Sequence, residues 1–290
     1  MRKSDRALSV IVLVIVGIVI VGLLSNVTWT GAARSGSVRG DIAVVDIKGM
    51  IVSAEKIAAQ INKHRRNSDL KGMLLRIDSP GGGSAAFQEL YREVKRFRDE
   101  GRPVVATIAS VGASGGYYVA LGATKIIANP ASVTGSIGVI VDFPVAVELL
   151  EKIGLSVETV KSGEYKDVGS PYREFTSEDK ARLDAVVQDI YNQFVNTVSL
   201  ERKIDKKELL KIADGRIFTG SQALEYGLID TLGTFEDAVV MVGKLAGITG
   251  RPKLVFPPKQ SRTLFDLLFT EIEEVFALFA AIPTLNYLWR

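Results

Sequence analysis

From Asp41 onward, short apolar runs alternate with amphipathic ones: DIAVVDIKG at 41–49, AEKIAAQINKHRR at 54–66, KGMLLRID at 71–78, AAFQELYREVKRFRDEG at 85–101 and PVVATIAS at 103–110. The apolar runs are nearly continuous, as strands are when both faces of a sheet are covered, and the segments between them have the length and pattern of crossover helices. This predicts an α/β class with a parallel β-sheet and flanking helices. LSVETVK at 155–161 reads as a further apolar strand. The chain then turns helical: TSEDKARLDAVVQDIYNQFVNTVSLERK opens on Thr176 with Asp179 three residues later, the spacing of a reciprocal N-terminal cap.

Two scarcities restrict the chemistry. The chain has no cysteine, which excludes disulfides, a thiol nucleophile and thiolate metal sites. His64 is the single histidine, and its setting, NKHRRNSD, reads as a solvated surface. No metal or cofactor is called for. The 36 basic and 33 acidic residues leave a net charge of +3 without a long run of one sign, so no nucleic-acid partner is expected.

Ahead of the α/β region, ALSVIVLVIVGIVIVGLL at 7–24 carries no charge. As a helix it would extend about 27 Å, close to the hydrocarbon thickness of a bilayer, and no small-residue cleavage site follows it. A retained transmembrane helix is expected, with residues 1–6 in the cytoplasm because Arg2, Lys3 and Arg6 precede the span while the first basic residue after it is Arg34. Residues 25–40 then form a polar tether to the α/β domain at 41–250 on the extracytoplasmic side. In the extension at 251–290, RPKLVFPPKQ reads as a linker and SRTLFDLLFTEIEEVFALFAAI as an amphipathic helix, interrupted by too many acids to be a second span. The residues PTLNYLWR after it read as an apolar tail, either a free end or an occupant of a substrate groove in the same or a neighbouring subunit.

Two glycine-rich turns lie where strands hand over to helices. SPGGGS at 79–84 exposes consecutive backbone N–H groups ahead of a helix, the arrangement of an anion-binding loop. It lacks the Gly-Lys-Ser/Thr ending of a phosphate loop and any GxGxxG continuation, which argues against a nucleotide. In ASVGASGGYY at 109–118, Ser114 has small neighbours that would leave its hydroxyl accessible and the next N–H free for an oxyanion. The same position equally suits a helix N-cap serine. A serine nucleophile needs a base, and a buried lysine amine can serve where no histidine does. Lys161 and Lys166, both in KSGEYKDVGSP, are the candidates, and the residues alone do not choose between them. Ser136 in TGSIG is placed either to hold such an amine by hydrogen bonding or simply to make a turn.

Taken in order, DSPGGG at 78–83, ASGGYY at 113–118, TGSIG at 134–138, SGEYKD at 162–167 and GRIFTGSQALEYGLID at 215–230 resemble the signal peptide peptidase A family in its short form. This is a group of serine–lysine peptidases with the Clp protease/crotonase-like fold, whose short members also begin with a membrane anchor. The resemblance implies Ser114 as nucleophile, Lys166 rather than Lys161 as base, Ser136 as the partner of the lysine amine, and the N–H groups of Gly82 and Gly115 as the oxyanion hole. It further implies peptide substrates, namely remnant signal peptides and other hydrophobic segments, and a ring- or dome-shaped homo-oligomer in which the serine and lysine of a site come either from one subunit or from neighbouring ones. A crotonase-type acyl-CoA enzyme and a non-catalytic membrane scaffold are the competing functions of such a fold.

Overall fold

In a computed structural model that describes residues 40–257 and the backbone of residues 286–288, the alternating pattern becomes alternating strands and helices. The order is β1 (Ile42–Lys48), α1 (Glu55–Arg65), β2 (Gly72–Ser79), β3 (Gly81–Gly83), α2 (Ser84–Asp99), β4 (Val104–Ala113), α3 (Gly115–Ala120), β5 (Lys125–Ala128) and β6 (Val133–Gly135). There follow α4 (Val147–Lys152), α5 (Ser177–Arg202), α6 (Lys206–Leu210), β7 (Ile217–Thr219), α7 (Gly220–Glu225), β8 (Thr231–Leu232), α8 (Phe235–Leu245), β9 (Leu254–Val255) and β10 (Asn286–Leu288).

Eight strands form one sheet in the order β7-β6-β4-β2-β1-β9, with β5 beside the first half of β4 and β8 beside β5. Every pair is parallel except β6 with β7. The pleat sends alternate residues to opposite faces. Ala43, Val45, Ile47, Met73, Leu75 and Ile77 face α1, α2, α3 and α5 in the larger core, whereas Ile42, Val44, Leu74, Val105 and Ile127 meet Ala238, Val239 and Val242 of α8. Covering both faces is why these strands carry almost no polar positions.

The cap expected at Thr176 is present: its side chain accepts from the Asp179 N–H, and Asp179 accepts from the Thr176 N–H. Other readings change. Residues 155–161 form no strand, and Leu155, Val157 and Val160 are exposed, Val160 completely. A strand needs a ladder partner, and none lies alongside this segment among the described residues. The stretch expected as a linker after 250 supplies β9, which pairs with the outer edge of β1. His64 is half-buried rather than solvated; its Nε2 has no hydrogen-bond partner, and burial, followed by the charge of Lys63, lowers its pKa.

The anchor at 7–24, most of the tether at 25–40 and the amphipathic helix at 261–282 lie outside the described residues. Among the described residues, no helix is long and apolar enough to cross a membrane.

Candidate active site

Three neighbouring parallel strands, β2, β4 and β6, end side by side, and the residues singled out in the two glycine-rich turns and TGSIG sit at those carboxyl ends. Ser79 pairs with Gly112, and Ala113 pairs with Gly135. Ser114 and Ser136 are therefore the next residues along adjacent strands, and both adopt positive φ, 52° and 49°. Crevices outside the carboxyl ends of parallel strands are where open α/β sheets bind ligands.

The turn after β2 is fixed by Ser79, a buried residue that the sequence reading did not single out. Its hydroxyl donates to the Gly49 carbonyl at 2.6 Å and accepts from the Gly81 N–H at 3.2 Å. A serine two residues before the N–H it accepts from is the available sequence signal. On one edge of β3, Ile51 donates to Gly81 and accepts from Gly83. Because N–H and C=O groups alternate sides along a strand, those of Gly82 face the opposite edge. Only glycine fits there: φ is 149°, and a Cβ would stand 2.1 Å from the Ile51 carbonyl oxygen.

Ser114 occupies the N-cap position of α3, yet its side chain makes no capping bond. Its N–H donates to Gly135 O at 2.8 Å and its carbonyl accepts from the Tyr118 N–H at 2.9 Å. The hydroxyl is buried without a hydrogen-bond partner. An unsatisfied buried polar group costs about 1–3 kcal/mol, and a non-glycine residue held in a sparse backbone region costs a similar amount. The surrounding core holds it there: Tyr117 is fully buried and donates to Leu228 O at 2.8 Å. Gly115, the first helical residue, has an N–H without an intrahelical acceptor, and a Cβ at this position would sit 2.4 Å from the Phe87 ring.

The expectation that small neighbours leave Ser114 accessible is not met, since the residue is wholly buried. The backbone of β10 lies close by. It pairs antiparallel with β3, setting Tyr287 opposite Gly82 and Leu288 opposite Gly81, and it also runs beside α3. The edge of β3 that presents the Gly82 N–H is thus already occupied by an extended segment of the same chain.

Ser136 is nearly buried, with its N–H donating to Arg216 O at 2.8 Å. It lines a cavity of about 430 Å³ together with Ile137, Val187, Gln188, Tyr191 and Asp214. Lys166 is not part of this cluster. It lies on an exposed segment, and among the described residues its amine makes no hydrogen bond or ion pair. The amine of Lys161 is committed, to Asp167 at 2.8 Å and to the Glu164 carbonyl at 2.8 Å. Asp167 is held down to about 2 by hydrogen bonds from Arg173 first and Lys161 second. Among the described residues, no group of carboxylates and histidine could hold a metal ion.

Residues 96–249, which include Ser114, Ser136 and Lys166 and begin after Gly82, match the model of peptidase family S49. A Synechocystis sp. protein provisionally named a protease is 43% identical over 213 residues, covering 73% of this chain and 76% of that protein. A protein of Enterococcus faecium provisionally named signal peptide peptidase SppA is 36% identical, covering 67% of this chain and 57% of its own length. The chloroplastic serine protease SPPA of Arabidopsis thaliana is 34% identical, covering 76% of this chain and 33% of its own.

Proposed function

The chain belongs to peptidase family S49, and on that premise we propose that it is a membrane-bound serine endopeptidase with the Clp protease/crotonase-like fold, Ser114 as nucleophile and Lys166 as general base. The observation that carries the reading is Ser114: a buried hydroxyl without a hydrogen bond, at positive φ, beside the Gly82 turn and the Gly115 N–H. The strain and lost hydrogen bond are hard to account for at a structural cap and are expected of a nucleophile presented on a sharp strand-to-helix turn.

In the proposed reaction, Ser114 Oγ attacks the peptide carbonyl carbon while its proton passes to neutral Lys166 Nζ. The N–H groups of Gly82 and Gly115 receive the developing oxyanion. The protonated lysine then gives its proton to the departing amine, leaving an ester on Ser114. Water, deprotonated by the same lysine, hydrolyses the ester and restores the serine. Ser136 accepts a hydrogen bond from the lysine amine and directs its lone pair toward Ser114. No metal or cofactor takes part.

Substrate would bind extended along the β3 edge now paired with β10, where backbone hydrogen bonds give affinity without demanding particular side chains. That suits remnant signal peptides and other hydrophobic segments, met on the extracytoplasmic side by a domain tethered to the anchor at 7–24.

The lysine is proposed to act in a neighbouring copy. Its segment is tied to the start of α5 at Asp179, and from Asp179 to Val187 beside the Ser136 cavity is about 12 Å of helix. Leu149, Ile153, Leu155, Val157 and Val160 leave this arm with an apolar surface that a second subunit of a ring- or dome-shaped assembly would cover. Mixing Ser114→Ala and Lys166→Ala chains tests the scheme. Each alone is expected to be inactive, and the mixture is expected to regain peptidase activity as hybrid sites form. Full activity of Lys166→Ala alone would remove the lysine from the reaction.

A further inference from the structure

Among the described residues the Lys166 amine has no partner, but both of its sequence neighbours are linked to one element. Tyr165 donates its hydroxyl to Glu178, and the Arg182 guanidinium lies 3.7 Å from the centre of the Tyr165 ring. On the other side, Arg173 donates to Asp167 at 3.0 Å and, through both terminal nitrogens, to the two oxygens of Asp179. Glu178, Asp179 and Arg182 all belong to the first two turns of α5. Asp179 is buried and also closes the Thr176 cap, so the carboxylate that orients Arg173 is itself fixed to the helix end. Farther along, α5 enters the core through Phe194, Val195 and Val198. Phe194 packs edge-on against Tyr118 of α3 at 5.0 Å, and the Tyr118 hydroxyl is 3.0 Å from Thr197. The helix that grips the lysine loop is thus anchored to the helix that Ser114 begins.

We infer that the first two turns of α5 are a positioning platform for Lys166, and that Arg173, which among the described residues links Asp167 to Asp179, is its principal positioning residue. The arrangement restrains the backbone on both sides of the base and leaves its amine unengaged. It offers rigidity to an exposed segment that has no core of its own: α4 contains no buried residue. The ligand of the platform is the lysine loop itself, and Arg173 touches neither substrate nor reacting atoms. The inference rests on the proposal that Lys166 is the base.

The experiment compares Arg173→Ala, Arg173→Lys, Tyr165→Phe and Lys166→Ala in the full chain, measuring peptidase kcat and KM, thermal midpoint and assembly state. Lys211→Ala, which removes an exposed pair with Glu208, is the control. Because a misplacement of about 1 Å can cost about 10²-fold in rate, Arg173→Ala is expected to lower kcat by about that factor with KM, midpoint and assembly nearly unchanged. Arg173→Lys, which can serve one carboxylate at a time, should recover part of the loss, and Tyr165→Phe should cost less than Arg173→Ala. Wild-type kcat in Arg173→Ala alongside an inactive Lys166→Ala overturns the platform and leaves the dyad standing. A loss of activity that tracks dissociation or a lowered midpoint, with no recovery in Arg173→Lys, also overturns it. Wild-type turnover in Lys166→Ala overturns the dyad and the platform together.

Discussion

The shelf that carries Ser114 and the arm that carries Lys166 are built on opposite terms. On the shelf, the backbone around Ser114 is pinned by parallel neighbours on both sides of β4, by a buried tyrosine below and by glycines where any side chain would collide. The arm from Val139 to Phe175 has one short helix without a buried residue and exposes apolar side chains that nothing among the described residues covers. Its order comes from polar links to α5, chiefly Arg173 with Asp167 and Asp179. One half of the proposed dyad is folded by the sheet, and the other sits on an arm whose apolar side chains no described residue covers, which a neighbouring subunit would finish under the proposed assembly. Among the described residues, the serine hydroxyl and the lysine amine are both without hydrogen-bond partners.

The sharpest way to break this comparison is to charge the arm. Leu155→Asp combined with Val160→Asp alters two exposed positions away from the core, so amide protection across the sheet should be retained. If the arm is covered by a second subunit, burying two carboxylates there is prohibitive. Sedimentation should then show smaller species, and peptidase activity should fall to background. Intact assembly with full activity would mean that the arm faces solvent in the working enzyme.

A smaller but still large effect is expected on the shelf. In Gly82→Ala, the new methyl would meet the Ile51 carbonyl oxygen at 2.1 Å, so β3 must shift and carry the Gly82 N–H with it. Loss of one oxyanion donor costs about 10²–10³ in kcat. Assembly should be unaffected, which separates this variant from the charged arm. Unchanged kcat would take Gly82 out of the oxyanion role.

How legible each region was in the sequence follows the same division. The strands β1, β2 and β4 and the helices α1 and α2 between them are readable because burial on both sheet faces writes near-continuous apolar runs, and the Thr176 cap is readable because its two hydrogen bonds are local. The segment at 155–161 misleads for the complementary reason: its apolar residues have the look of a strand, but no partner for them lies among the described residues. The Ser79 anchor and the Arg173 links were not singled out, since a serine in a turn and an arginine in a polar loop look the same whether or not they are engaged. The residues alone leave Lys161 and Lys166 open and the resemblance favours Lys166; the structure adds that the Lys161 amine is committed to Asp167. Local spacing does not record that.

The smallest expected effect concerns β10, which belongs to neither region but lies on the shelf. Since Ile51 takes the Gly81 and Gly83 groups on one edge of β3, the Gly82 N–H points at the edge where Tyr287 is paired. A substrate carbonyl seeking that N–H and the 286–288 backbone cannot both have it. Removing residues 283–290 should therefore free the edge and raise turnover at low peptide concentration by lowering the apparent KM, while kcat at saturation stays near its starting value. The gain should be only a few-fold, because a two- or three-residue strand pairing is marginal unless other contacts support it. Adding a free peptide of sequence PTLNYLWR to the truncated protein should reverse the gain as a competitive inhibitor. If truncation changes neither KM nor assembly and the peptide does not compete, the β3 edge is not the substrate track, and the extended substrate must be sought on another face of the Ser114 shelf.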